Sequence, residues 1–196
     1  MRNQYYIIRH GHSLRNAKNI ASCWPEKSLV PLTKKGKQEI QAAAKKIKNK
    51  KINLIFYSDL LRTKQTAEII GKALSIKPKA DKRLREVDVG IFNGRPLDEI
   101  GRFWDKERKL SPLEYYKKKF QVASPKGETY VDIEQKLSDF IQEMEKKYKG
   151  KNILIVSHQR PLTLLEKVMY NYSFKKFVKI ILEEKEIKTG ELRKLK

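Results

Sequence analysis

Three short stretches each end an apolar run in a residue able to handle a phosphoryl group. In YYIIRHGHS, residues 5–13, Arg9, His10 and His12 follow four apolar or aromatic residues. In ILIVSHQRP, residues 153–161, His158 appears in the same way, and FYSDLLR, residues 56–62, ends in Arg62. The chain has three histidines, and all of them lie in these stretches. An imidazole serves as nucleophile or proton carrier near neutral pH. A guanidinium offers a planar fork of donors matched to phosphate oxygens. Taken singly, each residue has a plainer reading. A histidine at a strand end is commonly structural, and Arg62 could pair with Glu68. The shared position of these residues is what carries weight.

That position follows from the elements around them. Residues 5–9, 54–57 and 153–156 read as short buried strands. Thr33 is suited to cap a helix over 34–49 with Ile40, Ala43, Ala44 and Ile47 on one face. Ser58 or Asp59 is expected to cap another, in which Leu60, Thr63, Ala67, Ile70 and Leu74 fall at helical spacing. Residues 76–92 read as irregular or weakly β, and 95–125 as short helical pieces rich in aromatics. A helix is expected over 130–148, with Ile133, Leu137, Phe140, Ile141 and Met144 on one stripe. Pro161 suits the first turn of a further helix, and residues 177–182 read as a last strand. Alternating strands and helices predict an α/β layered fold with a largely parallel sheet, in an order the pattern leaves open. Ligands of such sheets sit beyond the carboxyl ends of the strands. Arg9, His10, Arg62 and His158 therefore fall on one edge. Arg62 would lie in the first turn of its helix, where free N–H groups and the helix dipole also favour an anion.

The bulk numbers narrow the classes. A chain of 196 residues with 39% hydrophobic residues can bury a sizeable core, and a single domain over 1–196 is expected. One cysteine, Cys23, excludes an internal disulfide framework and fits a reducing compartment. No apolar run approaches the ~18 residues of a membrane span. MRNQYYIIRH lacks a signal-peptide core, so a cytoplasmic protein with no membrane partner is expected. Lys and Arg outnumber Asp and Glu by 45 to 23, a net charge of +22. The lysines are scattered along helical segments, with neither zinc-finger spacing nor an RNA-recognition signature. A solvated basic surface is the reading, with no specific nucleic-acid partner. Oligomeric state is left open. The tail EEKEIKTGELRKLK reads either as a final strand and terminus or as the edge of a longer chain.

The segment RHGHSLRN resembles the signature of the histidine phosphatase superfamily, which includes phosphoglycerate mutases and many phosphatases. The likeness continues in order through PLTKKGKQ, YSDLLRTKQTA, LREVDVGIFNG, PKGETYVDI and IVSHQRP. It implies a three-layer α/β/α sandwich, phosphoglycerate mutase-like, with no metal or cofactor and a covalent phosphohistidine intermediate. Position by position, His10 matches the nucleophile and Glu86 the proton donor and acceptor. Arg9, Asn16, Arg62 and His158 match the residues that hold the phosphate. His12 stands where many members have glutamate, and Gln159 where a glycine usually follows the second histidine. With Ser22, these two are expected to border the pocket. Residues 95–126 are expected to form a lid-like insertion over it.

The chemistry implied is two-step transfer of a phosphoryl group from a small phosphorylated substrate. Neutral His10 attacks phosphorus while protonated His158, Arg9, Arg62 and Asn16 hold the charge. Glu86 passes a proton to the leaving oxygen and then takes one from water. A plainer reading pairs Glu86 with Arg83 or Arg85, and Asp88 is the rival acid. The length of the chain and VGIFNGRP after Glu86 tilt the resemblance towards phosphatase rather than mutase. Two other readings stand beside it. His10, His12 and His158 could supply three zinc ligands, although Arg9 would then sit beside a dication. The basic surface could instead serve a non-catalytic module for phosphorylated ligands or nucleic acid.

Overall fold

The computed structural model describes residues 1–105 and 110–195. Strand β1 spans Gln4–Arg9, followed by helices α1, Leu14–Lys18, and α2, Lys34–Ile47. Strand β2 is Leu54–Tyr57, α3 is Leu61–Leu74 and β3 is the short Lys79–Ala80. Helices α4, Leu97–Asp105, α5, Pro112–Gln121, and α6, Tyr130–Lys147, follow. The chain then forms β4, Asn152–Ser157, α7, Gln159–Tyr170, α8, Phe174–Leu182, and β5, Leu192–Lys194. The part of the expected insertion at 106–109 lies outside the described residues.

The sheet order is β3-β2-β4-β1-β5. Strands β1, β2, β3 and β4 pair in parallel, and β5 runs antiparallel to β1. Alternate residues feed two cores, because successive side chains of a strand point to opposite faces. Tyr5, Ile7, Phe56, Ile153 and Ile155 pack with Phe140 of α6, Leu165 of α7 and Phe177 of α8. Tyr6, Ile8, Ile55, Leu154 and Val156 pack with Ile40 and Ile47 of α2 and Ile70 of α3. Burial on both faces explains why β1 and β4 read as continuous apolar runs. The result is the expected α/β layering, with helices on both sides of a largely parallel sheet.

Two expectations need correction. Residues 177–182 belong to helix α8 and not to a strand. Phe174, Phe177, Val178 and Ile181 recur at helical spacing, and all pack into the first core. Ser173 starts the helix by accepting from the Lys176 N–H at 3.3 Å. The tail supplies the antiparallel edge strand in its place. Helix α3 begins later than expected, with Leu60 as N-cap and no capping side chain of its own. Ser58 and Asp59 are engaged elsewhere: Ser58 with His158, and Asp59 with Arg85 through bonds of 2.7 and 2.6 Å. The first free amide, Leu61 N–H, donates to Glu26 Oε2 at 2.9 Å, so a distant loop carboxylate does the capping.

Candidate active site

The sheet register brings three strand ends together. Arg9 lies opposite Ser157, and Tyr57 opposite Val156. The residues that follow are His10, Ser58 and His158. The His10 N–H donates to Ser157 O and the Ser58 N–H to Val156 O, each at 3.1 Å. The pairing continues one step past the ladder, and this places both histidine rings on the edge where α3 and α7 start. Their centroids are 5.3 Å apart in an edge-on arrangement, a separation that one phosphoryl group can span.

The loop after β1 is fixed by close backbone packing. A Cβ on Gly11 would lie 2.5 Å from Gly36 O, and one on Gly36 only 1.9 Å from His12 O. These two glycines let the RHG turn lie directly on the first turn of α2. The Gly11 N–H also donates to Thr66 Oγ1 of α3 at 3.3 Å.

Both histidines are almost wholly buried. His10 Nδ1 lies 2.8 Å from Gly11 O. A carbonyl only accepts, so Nδ1 carries the proton and Nε2 holds the free lone pair. Burial, then the charges of Arg62 and Arg9, push the His10 pKa well below its ordinary value. His10 is therefore neutral and nucleophilic at Nε2. His158 Nε2 lies 2.9 Å from Ser58 Oγ. Burial, followed by Arg62 and His10, pushes its pKa well down too. From the sequence, His158 is expected to be protonated while it holds the phosphoryl group; with no anion beside it, the same burial and charges favour the neutral ring.

Around the rings stands an excess of donors. Arg62 is fully buried; its Nη1 donates to Ser22 Oγ at 3.1 Å and its Nη2 to Ser22 O at 2.9 Å. Its ion pair is with Glu26, at 3.6 Å, and not with Glu68. Burial brings this guanidinium down to about 10, with Glu86 opposing, so it stays charged. Arg9 Nη1 donates to Ile187 O at 3.2 Å. Among the described residues, six buried side-chain nitrogen or oxygen atoms lack a hydrogen-bond partner. Four belong here: Nε of Arg9, Arg15 and Arg62, and Nδ1 of His158. Buried polar groups are ordinarily satisfied, so four unmet nitrogens in one place describe a site built for an anion with several oxygens.

A cleft of about 190 Å³ adjoins this cluster, lined among others by Arg15, Ser22, Glu86, Trp104 and Gln159. Two of the three residues expected at the pocket edge, Ser22 and Gln159, are there. The third, His12, turns to α2, its Nδ1 3.0 Å from Thr33 Oγ1, and its N–H donates to Glu39 Oε2. No group of three His, Cys, Asp or Glu side chains placed to hold a metal occurs among the described residues. Glu86 accepts from the Val87 N–H at 3.2 Å and raises the pKa of both Arg9 and Arg62 by its charge. Arg83 instead pairs with Asp81 and Glu143, and Arg85 with Asp59. The rival acid, Asp88, accepts from the Gly90 N–H at 2.8 Å and from the Cys23 thiol at 3.3 Å. Asn16 has its Oδ1 engaged by the N–H and hydroxyl of Ser13 in a capping box. Its amide nitrogen is the part that could meet a ligand.

Two residues were missed from the sequence. Arg15 follows the RHG turn in the first turn of α1, the same placement that singled out Arg62, and its charge lowers the pKa of His10, His158, Arg9 and Arg62. Ser58 was taken for a helix cap; its place one residue past β2, level with the two histidines, was the signal.

Known proteins share this arrangement of the chain. The family model of the histidine phosphatase superfamily (branch 1) matches residues 5–192. A Yersinia pestis protein named probable phosphoglycerate mutase GpmB is 32% identical over 168 residues, 83% of this chain and 72% of that one. Among solved structures, Bacillus stearothermophilus YhfR superposes with a TM-score of 0.75 at 26% identity, covering 89% of this chain and 83% of the other. The mycobacterial glucosyl-3-phosphoglycerate phosphatase superposes at 0.79, with 18% identity and coverage of 98% and 89%, a likeness of fold alone. Sequence, fold and a buried pair of histidines among arginines agree: the chain belongs to the histidine phosphatase superfamily.

Proposed function

We propose that this protein is a metal-independent phosphatase that hydrolyses a small phosphomonoester through a phosphohistidine on His10. The observation that carries the reading is the set of unpartnered buried nitrogens facing a neutral histidine whose Nδ1 is tied to Gly11 O. In the first step the Nε2 lone pair attacks phosphorus and the P–O bond breaks; the leaving oxygen takes a proton from Glu86. In the second, the Glu86 carboxylate takes a proton from water, and the oxygen attacks phosphorus. The P–N bond then breaks, its electron pair returns to Nε2, and phosphate leaves. Arg9, Arg15, Arg62, His158 and Asn16 hold the equatorial oxygens, the main contribution a protein makes to phosphoryl transfer. A dianion beside His158 offsets the burial and the positive charges that keep it neutral, so the ring takes up a proton from solvent as the substrate binds. Helices α4 and α5 would cover the reacting group, since Leu97, Ile100 and Trp104 line the cleft.

A phosphoglycerate mutase is the second reading, favoured by the name of the Yersinia relative. The deciding experiment is hydrolysis of an aryl phosphate by wild type and His10→Ala, each in excess chelator. Turnover that persists with chelator and falls at least about a thousandfold in His10→Ala supports the hydrolase. Turnover abolished by chelator contradicts the metal-free mechanism. No turnover with intact interconversion of phosphoglycerates favours the mutase.

A further inference from the structure

The far wall of the cleft holds a cation that the phosphoryl chemistry does not use. Lys119, on α5, lines the cleft with Arg160. Its ammonium lies 5.4 Å from the Trp104 ring centre and 4.9 Å from that of Tyr115. No carboxylate of the described residues pairs with it. Three acids share the cleft lining, Glu86, Asp88 and Glu128, and none forms an ion pair with Lys119: Glu128 is engaged by Lys136 and the Asp88 N–H, Asp88 by the Gly90 N–H and Cys23, and Glu86 by the Val87 N–H. Arg160 is saturated differently, with Nη1 on Glu186 Oε1 at 2.7 Å and the guanidinium over Tyr130. A half-buried ammonium held by aromatic rings, with a second cation close by and no paired carboxylate among the described residues, is stabilised when a ligand brings the counter-charge.

The geometry points to a second anion subsite at Lys119, so that the substrate is a phosphomonoester whose remaining part carries another anionic group, a carboxylate or a second phosphate. This rests on the reading of His10 and its arginines as the phosphoryl site. Burial, and then Arg160, lower the Lys119 ammonium to about 8, which leaves it charged at neutral pH and sensitive to an arriving anion. Arg160 is the poorer residue to vary, because removing it would strand Glu186, itself 8% exposed.

The test is equilibrium binding by calorimetry in a His10→Ala background, which prevents turnover. Two matched pairs are compared: 3-phosphoglycerate with glycerol 3-phosphate, and fructose 1,6-bisphosphate with fructose 6-phosphate. At least one anion-bearing member should bind about tenfold or more tightly than its partner. Adding Lys119→Met, which keeps the aliphatic stem against the rings, should reduce that ratio to about twofold or less, and Lys119→Arg should restore most of it. The pair that responds tells a carboxylate from a phosphate. Equal affinities within both pairs, or a preference that survives Lys119→Met, overturn the subsite. Absent turnover of any phosphomonoester by wild type, with the Lys119-dependent ratio intact, would instead refute hydrolysis and leave the subsite standing.

Discussion

At the scale of single residues, the account depends on protons being in the right places. His10 Nδ1 is occupied by a carbonyl, so its reactivity is fixed at Nε2. Ser58, fully buried, does the corresponding work for His158. With phosphate bound and the ring protonated, Nε2–H donates to the Ser58 hydroxyl oxygen, which leaves Nδ1–H to meet the phosphate. Ser58→Ala should therefore lower kcat/KM about tenfold, roughly the 1.4 kcal/mol of one buried hydrogen bond. Ser58→Thr should recover most of the loss, whereas a merely structural role would not respond to the hydroxyl. The lowered pKa of His10 gives a sign as well. The neutral ring is the active form, so kcat/KM, corrected for ionisation of the substrate, should hold as pH falls through 6.5 and drop only well below it. An acid limb centred at or above 6.5 would contradict the burial argument. His10, Arg9, Arg62 and His158 were legible in the sequence because each directly follows a recognisable strand or opens a helix. The lowered pKa of His158 was not, since it arises first from burial and then from charges on three separate segments, the end of β1, α1 and α3.

At the scale of elements, the site is a product of strand ends and of the turns that leave them. Residues 5–9, 54–57 and 153–156 could be read as strands from unbroken apolar runs, and the observed strands extend them by a residue or two at most. The helix at 177–182 could not be read in this way, because Phe177, Val178, Ile180 and Ile181 suit a strand locally. Packing of that helical stripe into the core, with Phe177 against Phe120 and Tyr130, and the Ser173 cap favour the helix. The contact of the RHG turn with α2 was equally hidden, as it needs two glycines 25 residues apart in sequence to touch. It leads to a definite expectation for Gly36→Ala. In an exposed helix this change would stabilise by about 1 kcal/mol. Here the new methyl meets His12 O, so a net loss of about 1–3 kcal/mol is expected. Displacement of His10 should lower kcat as well. Chemical denaturation and steady-state kinetics of the variant check both, and a gain in stability would show that the turn is not pinned.

At the scale of the whole molecule, charge is spent in two different ways. The net +22 is carried mostly by solvated lysines such as those along α2, and its main effect is a general attraction for anions. Arg9 and Arg62 are instead taken out of water and aimed at one spot, at an electrostatic disadvantage shown by their lowered pKa values. Composition could reveal the first use but not the second, because burial of a charge depends on the fold. No described helix is long and apolar enough to cross a membrane. The central claim is that these buried charges serve transfer of a phosphoryl group to His10. The most direct measurement is mass spectrometry of the peptide containing His10 after brief mixing with a phosphomonoester and an alkaline quench, which spares a phosphorus–nitrogen bond. The account predicts a phosphoryl group on His10 that disappears as hydrolysis is completed and is absent from His10→Ala. Turnover with no phosphorylated histidine at any time, or with the phosphoryl group on another residue, would contradict it.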